Sequence, residues 1–409
     1  MTMPANELTR GAVTGLKVVD LSRVLAGPLC TQMLADHGAD VVKIEPPRGD
    51  ETRGLGPPFD AAGQAAYFGA VNRGKRGMAL DLSRAEGRAV LEALLGDADV
   101  LVENFLPGTM ERWGLGYEAH LSARFPRLIY CAITGFGADG PLGGLPGYDA
   151  VLQAMCGLMS INGTQESGAT RVGVPIVDYV TGYNALSGVL LALAARERSG
   201  RGQRVEVTLF DTALSLLVPH AANWICSGGV PGRLGSAHPN IAPYDKFVAS
   251  DGEIFLGILN DGQFRRFCQK VGRADLLNDP RFRTNADRLG HVAALRTELE
   301  HTLAGFESEV LCRELMRAGV PAGAVNTVPQ AFAQTHVSHR DMLVESDGHR
   351  APGIPVKLAQ TPGSAGRRPP RLSEHAREIL ADAGFDEAVI DGLIETGVVA
   401  PPGKENAQR

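Results

Sequence analysis

Apolar residues in the first half of the chain gather in short runs separated by helix-like stretches. Residues 16–21 (LKVVDL) form one run, a helical pattern follows as far as His37 with Gly38 as its stop, and residues 40–44 (DVVKI) form a second run. Strand, helix, strand at this spacing is a βαβ unit. The pattern recurs with a strand at 77–82, a helix at 83–95, and strands at 100–103 and 128–134. Residues 174–177 (VPIV) read as a further strand leading into Asp178, 182–198 as a helix stopped by Gly200, and 205–209 as another strand. The fold class this predicts is α/β, with a parallel, doubly wound sheet. The first turn, residues 22–28 (SRVLAGP), lacks the GxGxxG of dinucleotide-binding proteins, so the expectation is a Rossmann-like sheet without that cofactor.

The character changes after residue 218. A Gly- and Pro-rich linker at 228–235 leads to short β runs at 244–248 and 254–259 and to helices after Gln263. The predicted organisation is a large domain over 1–220, completed by 330–409, and a smaller α+β domain over 221–329. The tail from Pro352 reads as loop, closing with a helix near 374–383, and no internal repeat is visible. At 409 residues the chain exceeds one ordinary compact core, which agrees with two domains.

A formal net charge of −6 supplies no field toward nucleic acid or anionic lipid, so anionic ligands must be held by local groups. Residues 1–9 carry Asn6 and Glu7 and no apolar run, which reads as neither a signal peptide nor a transit sequence; a cytoplasmic location is the expectation. The longest apolar stretch outside the termini reads as 213–218, far short of the ~20 residues that cross a bilayer, so no membrane span is expected. Cys30, Cys131, Cys156, Cys226, Cys268 and Cys312 show no metal-site spacing and read as buried, reduced thiols.

Two features carry candidate chemistry. Asp178 stands at the start of a helix, where a carboxylate serves either as an N-cap or, at the carboxyl end of a parallel strand, as a covalent nucleophile. Arg73, Lys75 and Arg76 (NRGKR), with Arg112 after the turn in ENFLPGTMERW, are either a solvated basic face or a phosphate clamp.

An ordered set of segments spanning nearly the whole chain resembles the class III CoA transferases, the family of formyl-CoA transferase, carnitine CoA transferase and α-methylacyl-CoA racemase. It comprises LKVVDLSRVLAGP, GADVVKIEPP, GDETR, NRGKR, VENFLPGTMERWGLG, ITGFGADGP, GYDAV, VPIVDYVTG, DPRF, GVPAGAVNT and RPPRLSEH. The resemblance implies an intertwined, ring-like homodimer and makes Asp178 the catalytic aspartate. It would form an acyl anhydride with the donor and then an aspartyl-CoA thioester, with CoA thioesters as substrates, no bound cofactor and no metal. It further implies that Val24, Leu25 and Ala26 meet CoA through backbone, that Asn104 and Phe105 line its channel, and that Arg112 meets phosphate. Arg73 and Arg76 belong to the same phosphate-binding expectation. Where some relatives carry a basic residue after the KIE strand this chain has Pro46, and Arg48 is the substitute.

The racemase branch has histidine in GHD where this chain has Tyr148, which removes one partner of a two-base proton transfer. Residues 235–247, 257–264 and GYDAV look most like the succinyl-CoA:glutarate branch, whose acceptors are dicarboxylates such as glutarate or itaconate. Arg53, Arg73 or His238 would hold the distal carboxylate, His238 having the alternative of an ordinary loop histidine, and Gly257 would begin a loop that closes on the substrate. An acyl-CoA racemase or isomerase, and a non-catalytic CoA-binding protein, are the alternative functions.

Overall fold

The computed structural model describes residues 11–60 and 63–402, so the expectation for residues 1–9 lies outside the described residues. The chain forms two compact units. The first is built from residues up to 156, from 173–216 and from 335 onward; the second from 157–172 and 217–334. Residues 157–172 therefore cluster with the second unit rather than with the segment that precedes them.

The first unit holds six parallel strands, β1 (Lys17–Asp20), β2 (Asp40–Glu45), β3 (Arg76–Ala79), β4 (Val100–Glu103), β5 (Ile129–Thr134) and β6 (Arg204–Thr208). Their order is β3-β2-β1-β4-β5-β6, the doubly wound arrangement in which chain progression reverses between β1 and β4. β1 to β5 are buried along almost their whole length, which is why they read as continuous apolar runs rather than as alternation. One core joins Val19, Val42, Ile44, Met78 and Leu101 to Val90, Leu91 and Leu95 of helix Ala85–Leu95 and to Ile379 and Leu380 of helix Ala376–Asp382.

Residues 174–177 are not a strand. The helix begins at Ile176 and runs to Ser199, which places Asp178 inside its first turn. Pro175 has no N–H to give and disfavours helical backbone at Val174, so the helix starts at the proline. The N–H groups of Val177 and Asp178 are then orphans of the first turn, and both donate to Asp149 Oδ2, at 2.8 and 3.2 Å. At the other end Gly200, with φ 69°, closes the helix by donating its N–H to Arg196 O at 2.8 Å.

Over an 18-residue window this helix has a mean hydropathy of 1.3, so among the described residues it, unlike 213–218, is long and apolar enough to cross a bilayer by length and composition alone, and 33% of that window is buried inside the fold. It packs along helix Ala26–Asp36 and onto β5 and β6. Gly182 makes the first of these contacts close: a Cβ there would stand 2.8 Å from Ala26 O. Because residues i and i+4 share a helix face, that approach brings the start of helix Ala26–Asp36 beside Asp178.

The second unit centres on an antiparallel sheet of β7 (Tyr244–Val248), β8 (Glu253–Gly257) and β9 (Ala322–Ala324), packed by Phe264, Phe267, Leu299 and Leu315. The tail after Pro352 is loop as far as helix Ala376–Asp382, as expected. β10 (Leu343–Ser346) and β11 (His349–Pro352) form an antiparallel hairpin, and helix Glu387–Glu395 follows helix Ala376–Asp382. Five of the cysteines are buried, as expected, and Cys226 is exposed.

Candidate active site

The carboxyl ends of β1, β4 and β5, on either side of the reversal point, surround a cavity of about 230 Å³. Open parallel sheets bind ligands at this position. The turn after β1 contributes Arg23, Val24, Leu25 and Ala26; the turn after β4 contributes Asn104, Phe105, Leu106 and Pro107. The segment after β5 supplies Thr134 and Gly135, and again Leu145 to Tyr148. It leaves and returns at one point because Gly135 and Gly147 touch: a Cβ on either would meet the other's Cα at 2.8 Å. Asp178 completes the wall.

Asp178 is half-buried, and its carboxyl pKa is pushed up to about 7, first by desolvation and then by the Asp149 carboxylate. Asp149 is buried, gives one oxygen to the start of the Asp178 helix and receives Gln153 Nε2 at 2.6 Å on the other. Tyr67, half-buried, is raised by burial and then by the charges of Asp178, Asp149 and Asp50. Leu25 is the N-cap of helix Ala26–Asp36 and offers no side-chain cap, so the first N–H groups of that helix lie at the cavity wall without one.

Of the residues singled out in the sequence, Val24, Leu25, Ala26, Asn104, Phe105, Tyr148 and Asp178 come together here. Arg48 lines a neighbouring cavity of about 360 Å³ that shares Arg23, Phe105 and Leu106 with the first. Arg112 is exposed and donates to Thr109 Oγ1 at 2.8 Å, Thr109 being part of that second wall.

The other basic residues are engaged inside the fold. Arg73 is buried and grips Asp36 with two bonds of 2.8 and 2.7 Å while donating to Pro352 O. Arg53 grips Glu45 with two bonds of 2.7 Å and lies 3.8 Å over the Phe68 ring. Arg76 pairs with Asp40, Glu378 and Asp382. Lys75, with no exposed side chain, donates to Asp20, Asn72 and Pro28 O. The basic cluster is thus neither a solvated face nor an open phosphate clamp in this structure: each cation has a carboxylate partner. His238 and Gly257 belong to the second unit; His238 Nδ1 accepts from Asn240 N–H, and Gly257 donates to Pro321 O.

Asp149 and Arg23 were not singled out as functional by the sequence reading. Asp149 sits in the GYDAV motif, which was the available signal, and only the fold brings it to the start of the Asp178 helix. Arg23 carries no signal apart from its place in the first turn.

A carboxylate with a pKa near 7, set in a cavity at the reversal point of a doubly wound sheet, is the layout of an α/β enzyme that works on a ligand bound across the strand ends. The model of CoA-transferase family III matches residues 13–376, and the chain belongs to that family. It is similar to the succinate–glutarate CoA-transferase of Agrobacterium fabrum, 40% identical over 90% of this chain and 95% of that protein. It is also 39% identical to the succinyl-CoA:mesaconate CoA-transferase of Haloarcula hispanica, over 91% and 97% of the two chains. A CAIB/BAIF family protein from Brucella suis has the same fold, with a TM-score of 0.83 at 41% identity, covering 92% of this chain and all of that one. The protein is therefore an enzyme of the CoA-transferase class, with CoA thioesters as substrates.

Proposed function

We propose that the enzyme moves CoA from succinyl-CoA to a small dicarboxylate of the glutarate or itaconate kind, through covalent intermediates on Asp178. The observation that carries the chemistry is the desolvated Asp178 carboxyl facing the cavity; the names of the Agrobacterium and Haloarcula relatives support the choice of donor and acceptor.

In the proposed sequence an oxygen of ionised Asp178 attacks the thioester carbonyl, the C–S bond breaks, and CoA leaves as thiolate, giving a mixed anhydride. The thiolate then attacks the Asp178 carboxyl carbon and succinate departs, leaving an aspartyl-CoA thioester. The acceptor carboxylate attacks this thioester and displaces the thiolate, which returns to the acyl carbon and frees Asp178. One thioester replaces another at each cycle, so no external energy source is required. Both intermediates are open to hydrolysis, and Leu25 and Phe105 give the cavity an apolar part of its wall.

CoA is placed with its adenosine and phosphates toward the second cavity, near Arg48 and Arg112, and its pantetheine arm passing Phe105 to Asp178. Val24, Leu25, Ala26 and Tyr148 line the reacting end. With Arg53 and Arg73 held by Glu45 and Asp36, Arg23 is the cationic side chain on the wall of the Asp178 cavity and is assigned to the anionic end of the acceptor. Its pairing with the exposed Glu51, at 3.3 Å, is longer than either of those. A homodimer is inferred as well, as the resemblance to the class III CoA transferases implies.

Because the nucleophile is the ionised form, kcat/KM for acyl exchange is expected to rise with pH through about 7. Asp149→Asn keeps an oxygen for the helix N–H groups and removes the charge, so this limb should move to lower pH; a limb that stays in place sinks the coupling. The reading as a whole is tested by incubating the protein with succinyl-CoA and a panel of acids and following new acyl-CoA species by mass spectrometry. Transfer to glutarate or itaconate supports it, and exchange with no dicarboxylate overturns the assigned acceptor.

A further inference from the structure

Val24 lies on the cavity wall with φ 69°, in the left-handed region. Of the non-glycine residues with such a φ among those described, the others are Asp341, Asp347 and Ser373, so Val24 alone is β-branched. For that side-chain type the conformation is strained and persists only when its surroundings impose it. The surroundings are unusual. Asn104 spans the preceding residue, accepting from Arg23 N–H at 2.8 Å through Oδ1 and donating to Arg23 O at 2.7 Å through Nδ2. Its amide meets both polar groups of one residue, as a neighbouring strand would. Asp50 Oδ2 accepts from Val24 N–H at 3.3 Å, and Lys43, itself 3.2 Å from Asp50, donates to Ser22 O at 2.8 Å. The peptide groups from Ser22 to Val24 are thus pinned by side chains from the ends of β2 and β4.

The geometry points to Asn104 as a positioning residue that holds the Ser22–Val24 turn in its strained form and thereby sets the CoA-facing wall formed by Val24, Leu25 and Ala26. One N–H and one lone pair of its amide are engaged by Arg23, and it is through these two bonds, by way of the turn, that its contribution is made. Asp50 and Lys43, buried beneath the same turn, support it from the other side.

This inference rests on the transferase reading only for its kinetic readout, and the test includes binding for that reason. Asn104→Ala is expected to weaken CoA binding, measured by calorimetry on the full chain, and to lower kcat/KM for acyl exchange, each by roughly tenfold, mainly through KM. Val24→Gly introduced into the Asn104→Ala protein is expected to restore most of both losses, because glycine adopts a φ of 69° without a clamp. Wild-type behaviour of Asn104→Ala overturns the inference. A loss that Val24→Gly fails to recover also overturns it, since Asn104 then acts on the ligand directly. If Asn104→Ala does not fold, Asn104→Asp, which keeps the acceptor for Arg23 N–H and loses the donor to Arg23 O, is put through the same rescue with the same two outcomes. A wild type that binds CoA but exchanges no acyl group defeats the transferase reading and leaves the binding arm of this test intact.

Discussion

Replacing Asp178 by Asn is expected to reduce acyl exchange by about a thousandfold or more, because an amide cannot form the anhydride and the covalent route is lost entirely. The variant should remain folded and become more stable than the wild type at alkaline pH. The sign follows from the raised pKa. Folded Asp178 holds its proton up to about 7, whereas the unfolded chain releases it near the ordinary carboxyl value of 3.8. Ionising it in the folded state therefore costs stability, a penalty that begins above 3.8 and is complete above about 7. The amide side chain of the variant carries no such penalty, so the melting temperature of Asp178→Asn should exceed that of the wild type by ~2 °C at pH 8 and match it near pH 4. Full activity in this variant would remove Asp178 from the chemistry. Lost activity with a melting temperature lower at pH 8 would mean that the residue acts as a structural cap instead.

The second large effect falls on stability. Lys75→Met is expected to destabilise the protein by about 3–5 kcal/mol, because it leaves the Asp20 carboxylate buried without its direct partner. Burial alone would raise the Asp20 pKa, and Lys75 and then Lys43 pull it down to about 2. Asp20 also accepts from Ser22 N–H at 3.0 Å and Thr31 Oγ1 at 2.6 Å, so the lost countercharge sits under the same turn that forms the cavity wall. Asp20→Asn combined with Lys75→Met should recover much of the loss, since a neutral amide needs no countercharge. Thermal unfolding measures both. If Lys75 were instead a phosphate contact, Lys75→Met would raise the KM for acyl-CoA and leave the melting temperature in place.

The sheet was legible in the sequence for a physical reason. Strands of a parallel sheet covered on both faces, such as Val100–Glu103, need apolar residues throughout, and turn residues mark their ends. The same rule misled at 174–177, where a short β-branched run around Pro175 is equally compatible with a helix start. What decided between them is Asp149, 28 residues earlier, which binds the Val177 N–H. The basic residues were illegible for a related reason. Arg73, Lys75 and Arg76 are neighbours in sequence, but their partners Asp36, Asp20 and Asp40 come from two other strands and a helix, and only the fold pairs them. The left-handed backbone of Val24 could not be read at all, because local preference argues against a β-branched residue there and only the side-chain clamp from Asn104 imposes it. The catalytic candidate itself was legible through the family resemblance, and the structure adds the cavity and the desolvation that suit a carboxylate to nucleophilic work.

The central claim is that CoA passes through a covalent bond to Asp178. The most direct measurement is intact-mass and peptide mass spectrometry of the protein mixed with succinyl-CoA in the absence of an acceptor and quenched rapidly in acid. A CoA adduct confined to the peptide that carries Asp178, present in the wild type and missing from Asp178→Asn, is the expected result. Rapid acyl exchange with no adduct on that peptide, or with the adduct on another residue, would contradict it.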